Sequence, residues 1–167
     1  VQFARGSTWV NRNRLKCDQG ELWLTVPVWK KGRGLQKINE VEVFNEGNWP
    51  HKHLQSIRQN YAHAPYLDDH ILFLKDIYPR KWKKLIDLNC EVLTYLKDAL
   101  GIKKEFMLQS DVDVRARGTD LLVELCKKSG ADVYLSSLMS KKYLNEDVFK
   151  NNGITIKYYN AISPTYP

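Results

Sequence analysis

What this 167-residue chain lacks narrows the field first. No apolar run approaches the ~20 residues that a membrane-spanning helix needs. There is no secretory signal, although Val1 stands where an initiator methionine would, so a segment upstream is expected. Only three cysteines are present, Cys17, Cys90 and Cys126, odd in number and far apart. They predict reduced thiols in a cytoplasmic protein rather than a disulfide framework. Zinc-ligand spacing is missing too: His51 and His53 are two apart, on different sides of a helix, and His63 and His70 lack partners at spacing four. Asp111 and Asp113 could share a Mg²⁺ ion at a strand end, but neighbouring acids are commonplace, so neither metal nor cofactor is expected. The Gly-x-Ser-x-Gly nucleophile elbow is absent. Gly32 and Gly34 form no P-loop, because no Gly-Lys-Ser/Thr follows and the pattern after them is that of a strand.

What is there fits one globular domain spanning residues 1–167, with no internal repeat and no visible linker. Its hydrophobic share is 43% and its charged share 27%, ordinary values for a packed core under a charged surface. The net charge of +7 is unevenly placed. Residues 1–37 hold eight basic groups against two acids, leaving the remainder close to neutral. A one-sided basic surface suits phosphate-bearing ligands, and equally a solubilising surface with no dedicated partner.

Hydrophobic periodicity supplies the elements. Val1 to Gly6 has the look of a strand end. Leu22, Leu24, Val26 and Val28 alternate with Trp23, Thr25 and Pro27, and Ile38 to Phe44 makes a second strand with Val41 and Val43 inward. The two predict an antiparallel ribbon over residues 22–44 with a mobile basic tip. Helices are expected from Pro50, from Pro65 to Pro79, over Lys81–Leu100 and over Lys141–Asn151; Asn89 interrupts the third one's apolar face as a paired amide or a site residue. Ile154–Tyr159 reads as an edge strand, followed by an extended tail carrying Pro164 and Pro167. The stretch from Phe106 organises the reading: strand Phe106–Ser110, helix Thr119–Ser129 capped by Thr119, strand Val133–Ser137. Strand, helix and strand in that order predict a βαβ unit. The fold class expected is α/β, a Rossmann-like and mostly parallel sheet with flanking helices and the antiparallel basic β-ribbon.

Ligands in such sheets gather beyond the carboxyl ends of the strands, which places Ser110, Arg115, Arg117, Gly118, Thr119, Ser136 and Ser137 on one rim. Arg115, Arg117 and Gly118 precede a helix N-terminus, where amides and dipole favour an anion; two solvated loop arginines fit the same residues. Ser136 to Lys142 is similar to the Ser/Lys loops that hold triphosphate in nucleotidyltransferases, and also fits a plain N-cap. Arg12, Asn13 and Arg14 make a polar wall suited to carboxylate or phosphate, or an exposed strand. His53 titrates near neutrality and is the candidate general base, with a structural role as its competitor.

Taken together, Val1-Gln2-Phe3, Asn11-Arg12-Asn13-Arg14, Trp23 to Val28, Lys37 to Val41, Lys52-His53, Ala64-Pro65-Tyr66, Gly118-Thr119, Gly130 to Ser136 and Tyr143-Leu144 resemble the WbqC-like protein family. The likeness runs over nearly the whole chain in the expected order. Family members carry a preceding segment with a His-Gln-Pro motif that this chain is expected to lack, and often a glycine where Ser137 stands. The resemblance implies a bacterial cytoplasmic transferase from gene clusters for O-antigen and related surface polysaccharides. One role attached to the family is transfer of an aminoacyl group, such as glycyl, to an amino sugar. The partner would then be a nucleotide-linked amino sugar, or another phosphorylated small molecule, with an aminoacyl donor. In that scheme Arg12 and Arg14 hold carboxylate or phosphate, and Arg115, Arg117 and Thr119 hold the diphosphate. Two alternatives accompany it: a nucleotide-binding or nucleotidyltransferase-like protein without sugar acylation, and an RNA-binding protein reading tRNA or other nucleic acid through Lys30, Lys31 and Arg33.

Overall fold

A computed structural model describes residues 2–3 and 9–160. The calls on Val1 and on the tail with Pro164 and Pro167 lie outside the described residues, as does most of the strand end over Val1–Gly6. The chain forms two compact units, Val1–Lys103 and Lys104–Pro167. Nothing Gly-, Pro- or Ser-rich marks the junction, which is why the sequence shows no boundary there.

The first unit opens with an antiparallel hairpin, β1 (Arg12–Cys17) and β2 (Gly20–Thr25), whose ladder runs from Arg12 opposite Thr25 to Cys17 opposite Gly20. Asp18 and Gln19 make the turn, and Gly20 takes φ +112°, a conformation L side chains rarely adopt. Beyond the hairpin the chain stays extended. Among the described residues the expected ribbon survives at Val28 opposite Val43, flanked by Trp29 N–H to the Glu42 carbonyl at 3.0 Å and Phe44 N–H to that of Pro27 at 2.8 Å. Ile38–Glu40 is a 3₁₀ turn instead of strand, because the Glu40 carboxylate accepts from the Lys37 N–H at 2.9 Å while the Glu40 N–H donates to the Lys37 carbonyl at 2.9 Å.

Three helices follow, α1 (Trp49–Asn60), α2 (Leu67–Ile77) and α3 (Leu85–Ala99), near the expected starts at Pro50 and Pro65. The third begins four residues later than Lys81. Lys84 bridges Glu42 and Leu85 N–H bonds the Val41 carbonyl at 2.9 Å, so backbone pairing claims the stretch a helix would have used. Val41, Val43, Trp49, Ile77, Leu85 and Leu88 form the buried core with Phe3. Asn89 Nδ2 donates to the Val10 carbonyl at 3.0 Å, so its interruption of the apolar face is a structural pairing.

In the second unit α4 (Gly118–Lys128) is amphipathic as expected, burying Val123 and Cys126. It is followed by β3 (Val133–Ser137), a 3₁₀ turn (Leu138–Tyr143), α5 (Glu146–Asn151) and β4 (Thr155–Tyr159). The expected helix over Lys141–Asn151 is shorter because the Asn145 side chain accepts from Asp147 N–H and starts a new helix; Tyr143, read as inward, is exposed. Strands β3 and β4 pair in parallel, Val133 opposite Thr155 through Ser137 opposite Tyr159. Ile156 and Tyr158 face inward on β4, as the alternation predicts. Phe149 is fully buried and stacks on Tyr134 at 5.0 Å.

The parallel unit is therefore β3–α5–β4, and the expected strand Phe106–Ser110 is corrected. Gln109–Asp111 is a 3₁₀ turn, and among the described residues no strand pairs with Phe106–Leu108. Among the described residues the chain is α/β with two two-stranded sheets, one antiparallel and one parallel; the larger, mostly parallel Rossmann-like sheet is not seen. No helix of the described residues is long and apolar enough to cross a membrane.

Candidate functional site

Alternation along the hairpin decides which side chains share a face. Arg12, Arg14 and Lys16 stand opposite Thr25, Trp23 and Glu21, all on one side. Asn13, opposite Leu24, belongs to the other side, and its Oδ1 accepts from the Arg14 N–H at 2.8 Å. The polar wall expected from Arg12, Asn13 and Arg14 thus divides between two faces.

On the arginine face an aromatic platform gathers. The Trp9 and Trp23 rings lie 5.1 Å apart at 47°, and they are 62% and 38% exposed. The Arg12 guanidinium sits 4.0 Å from the Trp23 ring centre; that of Arg14 is 5.0 Å from Trp9 and 5.6 Å from Trp23, and it pairs with Glu21. Cations over ring faces are favourable, most so when partly desolvated. Among the described residues Arg12 Nε is buried with no hydrogen-bond partner, a donor left for something else to satisfy. Sequence reasoning named the two arginines for the site and did not name the two tryptophans beside them. The available signal was Trp23 on the polar-facing side of an alternating strand.

His53 sits behind this hairpin. It is 7% exposed on α1, with Trp49 at 5.2 Å and Tyr78 at 5.6 Å, both edge-on. Burial lowers its pKa from the usual 6.5, opposed by a hydrogen bond to the Thr25 backbone, directly across from Arg12. It is a neutral imidazole tying α1 to the hairpin. Tyr78 beside it is pushed up to about 12 by burial and keeps its proton.

The other expected site residues lie in the second unit. Arg115 is 94% exposed at its side chain and 3.8 Å from Asp113, and Arg117 is the exposed N-cap residue of α4. Gly118, at φ +57°, makes the sharp entry to α4. Thr119 caps nothing on its own helix: its Oγ1 accepts from the Asn145 N–H at 3.1 Å and joins the starts of α4 and α5. Ser110 Oγ donates to its neighbour Asp111 at 3.4 Å, on a 3₁₀ turn rather than a strand end. Ser136 is buried, and Ser137 caps the following turn by accepting from Met139 N–H at 3.4 Å. A hollow of about 350 Å³ in this unit is lined by Met107, Leu122, Cys126 and Tyr134 among others, and by neither arginine. Burial raises the Cys126 thiol's pKa, so it stays protonated. Among the described residues no three His, Cys, Asp or Glu side chains gather as a metal-binding group.

The model of the WbqC-like protein family matches residues 1–167, the entire length. The chain belongs to that family. It is 32% identical over 152 residues to the uncharacterized protein Rv1507c of Mycobacterium tuberculosis, covering 90% of this chain and 65% of that protein. The chain thus spans just under two thirds of this relative's length. No solved structure matches it. The matched range includes both strands of the platform hairpin.

Proposed function

We propose that this WbqC-like chain binds a nucleotide-linked amino sugar on the Trp9–Trp23 face of its hairpin and serves a polysaccharide-related process as a transferase. The observation that carries the reading is Arg12 Nε, buried and without a hydrogen-bond partner among the described residues, beside two exposed indoles. A nucleotide-sugar offers rings that stack on indole and a diphosphate that arginine forks bind bidentately. Family membership supports the link to polysaccharide. The finer step is aminoacyl, in particular glycyl, transfer. The sugar amine attacks the donor's activated carbonyl carbon, a C–N bond forms, the bond to the leaving oxygen breaks, and the amine's proton is released. His53 enters as a positioning residue that fixes the strand across from Arg12, rather than as the base, because it is buried behind that strand. In the second unit, the β3–α5–β4 crossover would be the piece of a wider Rossmann-like sheet, with Arg117 and Gly118 at its open corner.

Thermal-shift titration with a panel of nucleotide-linked amino sugars tests the binding. A ligand at a hundred times its Kd adds about 2.7 kcal/mol of stability. That gain is expected for wild type and is lost in Arg12→Ala and Trp23→Ala. Equal behaviour of variants and wild type contradicts the hairpin assignment. Mass spectrometry of the sugar after incubation with aminoacyl donors separates transfer from binding alone, since an unmodified amine leaves a nucleotide binder without acylation.

A further inference from the structure

The two arginines of the platform face are not equivalent, and the difference sets the direction in which a ligand lies. By register the face holds three pairs in order: Arg12 with Thr25, Arg14 with Trp23, and Lys16 with Glu21. Glu21 is the one acid in either strand. Its carboxylate pairs with Arg14 and stands directly across from Lys16. An exposed ion pair of this kind does little for stability, but it cancels much of the charge that Arg14 shows to a ligand. At this end of the face the positive charge is matched.

The other end differs. Among the described residues Arg12 pairs with no acid; its guanidinium lies over the Trp23 ring at 4.0 Å, and its Nε has no hydrogen-bond partner. Thr25, exposed and directly across, adds a hydroxyl on the same side. The Thr25 backbone is anchored by its hydrogen bond to the buried His53. Arg12 and Lys16, the residue level with Glu21, are separated by about 14 Å of strand. Surface charges are screened within about 8 Å at physiological ionic strength. Repulsion from Glu21 therefore falls on an anion beside Arg14 far more than on one beside Arg12.

We propose that the platform reads its ligand in one direction. Arg12 and Thr25 receive the anionic group of a nucleoside diphosphate or its sugar-linked form, while Arg14 joins Trp9 and Trp23 as a stacking surface for the adjoining ring. A guanidinium keeps its flat faces when a carboxylate occupies its edge, and this one lies 5.0 Å from the Trp9 ring centre and 5.6 Å from that of Trp23. Arg12 is then the residue that selects a diphosphate, and Glu21 the one that keeps phosphate off Arg14, both roles resting on the hairpin as the binding face.

ADP, CDP, GDP and UDP, each beside its own nucleoside, are the probes, titrated calorimetrically into the full chain at fixed ionic strength. The quantity measured is the ratio of diphosphate to nucleoside affinity for the tightest-binding pair. Wild type is expected to favour the diphosphate by about tenfold or more, and Arg12→Gln to abolish that preference while the nucleoside still binds. Arg14→Gln is expected to weaken both ligands alike, by about two- to fivefold, and to leave the ratio intact. Glu21→Gln leaves the Arg14 charge unmatched and is expected to raise the ratio, a change that loss of a merely structural pair would not produce. Circular dichroism checks the fold of each variant, and Glu21→Gln decides alone where Arg12→Gln does not fold. Binding that depends on Trp9 and Trp23 yet keeps its diphosphate preference in Arg12→Gln, or loses it in Arg14→Gln, overturns the proposal and leaves the hairpin reading standing. A ratio unchanged or lowered in Glu21→Gln overturns it as well. Failure of every probe to bind wild type removes the hairpin reading and this assignment together.

Discussion

At the scale of single residues, partners decide roles. Burial among Trp49 and Tyr78 lowers the pKa of His53 from its usual 6.5, against the opposing hydrogen bond to the Thr25 backbone. Its folded pKa lies below the unfolded value of 6.5, so the unfolded chain takes up the proton first as pH falls. Unfolding free energy should therefore be flat above pH 6.5 and fall below it, and His53→Phe should flatten that fall in chemical denaturation curves. Tyr78 works in the opposite direction. Its raised pKa means stability is lost as pH climbs from 10.0 toward about 12. Asn89 was legible as an amide in need of a partner, since a polar group on an apolar helix face must be paired. That the partner is the Val10 carbonyl, 79 positions away, was not legible. Asn89→Ala should cost about 0.5–1.5 kcal/mol in unfolding free energy by removing that bond. A variant as stable as wild type would show the bond to be solvent-replaced.

Among elements, local pattern succeeded where the signal is local. The helix starts near Pro50 and Pro65, the apolar stripe of α4 and the alternation of β4 follow from spacing within one turn or one strand. Phe106–Ser110 failed because a strand exists only through a partner, and the choice of partner is nonlocal. Phe106 and Met107 are exposed where a central strand would bury them. The expected cap at Thr119 failed for a related reason: its hydroxyl serves another helix. Thr119→Val should then destabilise the α5 end of the unit rather than shorten α4. Hydrogen exchange at the Asn145 amide should quicken while the α4 amides stay protected; uniform loss of protection would contradict this. Gly118→Ala forces a left-handed conformation on a residue with Cβ, at about 1–2 kcal/mol.

For the whole molecule, the uneven charge was plain from composition, but its use was not. Of the basic groups crowded into residues 1–37, Arg14 and Arg33 are paired with Glu21 and Glu42, and Arg12 lies over the Trp23 ring. The candidate site was half legible. Arg12 and Arg14 were found by type, while Trp9 entered only when the fold brought it against Trp23. The junction at Lys103-Lys104 is exposed, so brief trypsin treatment should cut there early; survival of the intact chain while other sites are cleaved would contradict it. The central claim is that the Trp9–Trp23 face receives the nucleotide-linked sugar. Its most direct measurement is the set of five tryptophan indole N–H signals in a ¹H–¹⁵N spectrum as a nucleotide-linked amino sugar is added. The Trp9 and Trp23 signals should move together and saturably, while Trp49 and Trp82, bonded to the Phe44 and Ile77 carbonyls, stay in place. Movement confined to other tryptophans, or none at saturating ligand, would contradict the account.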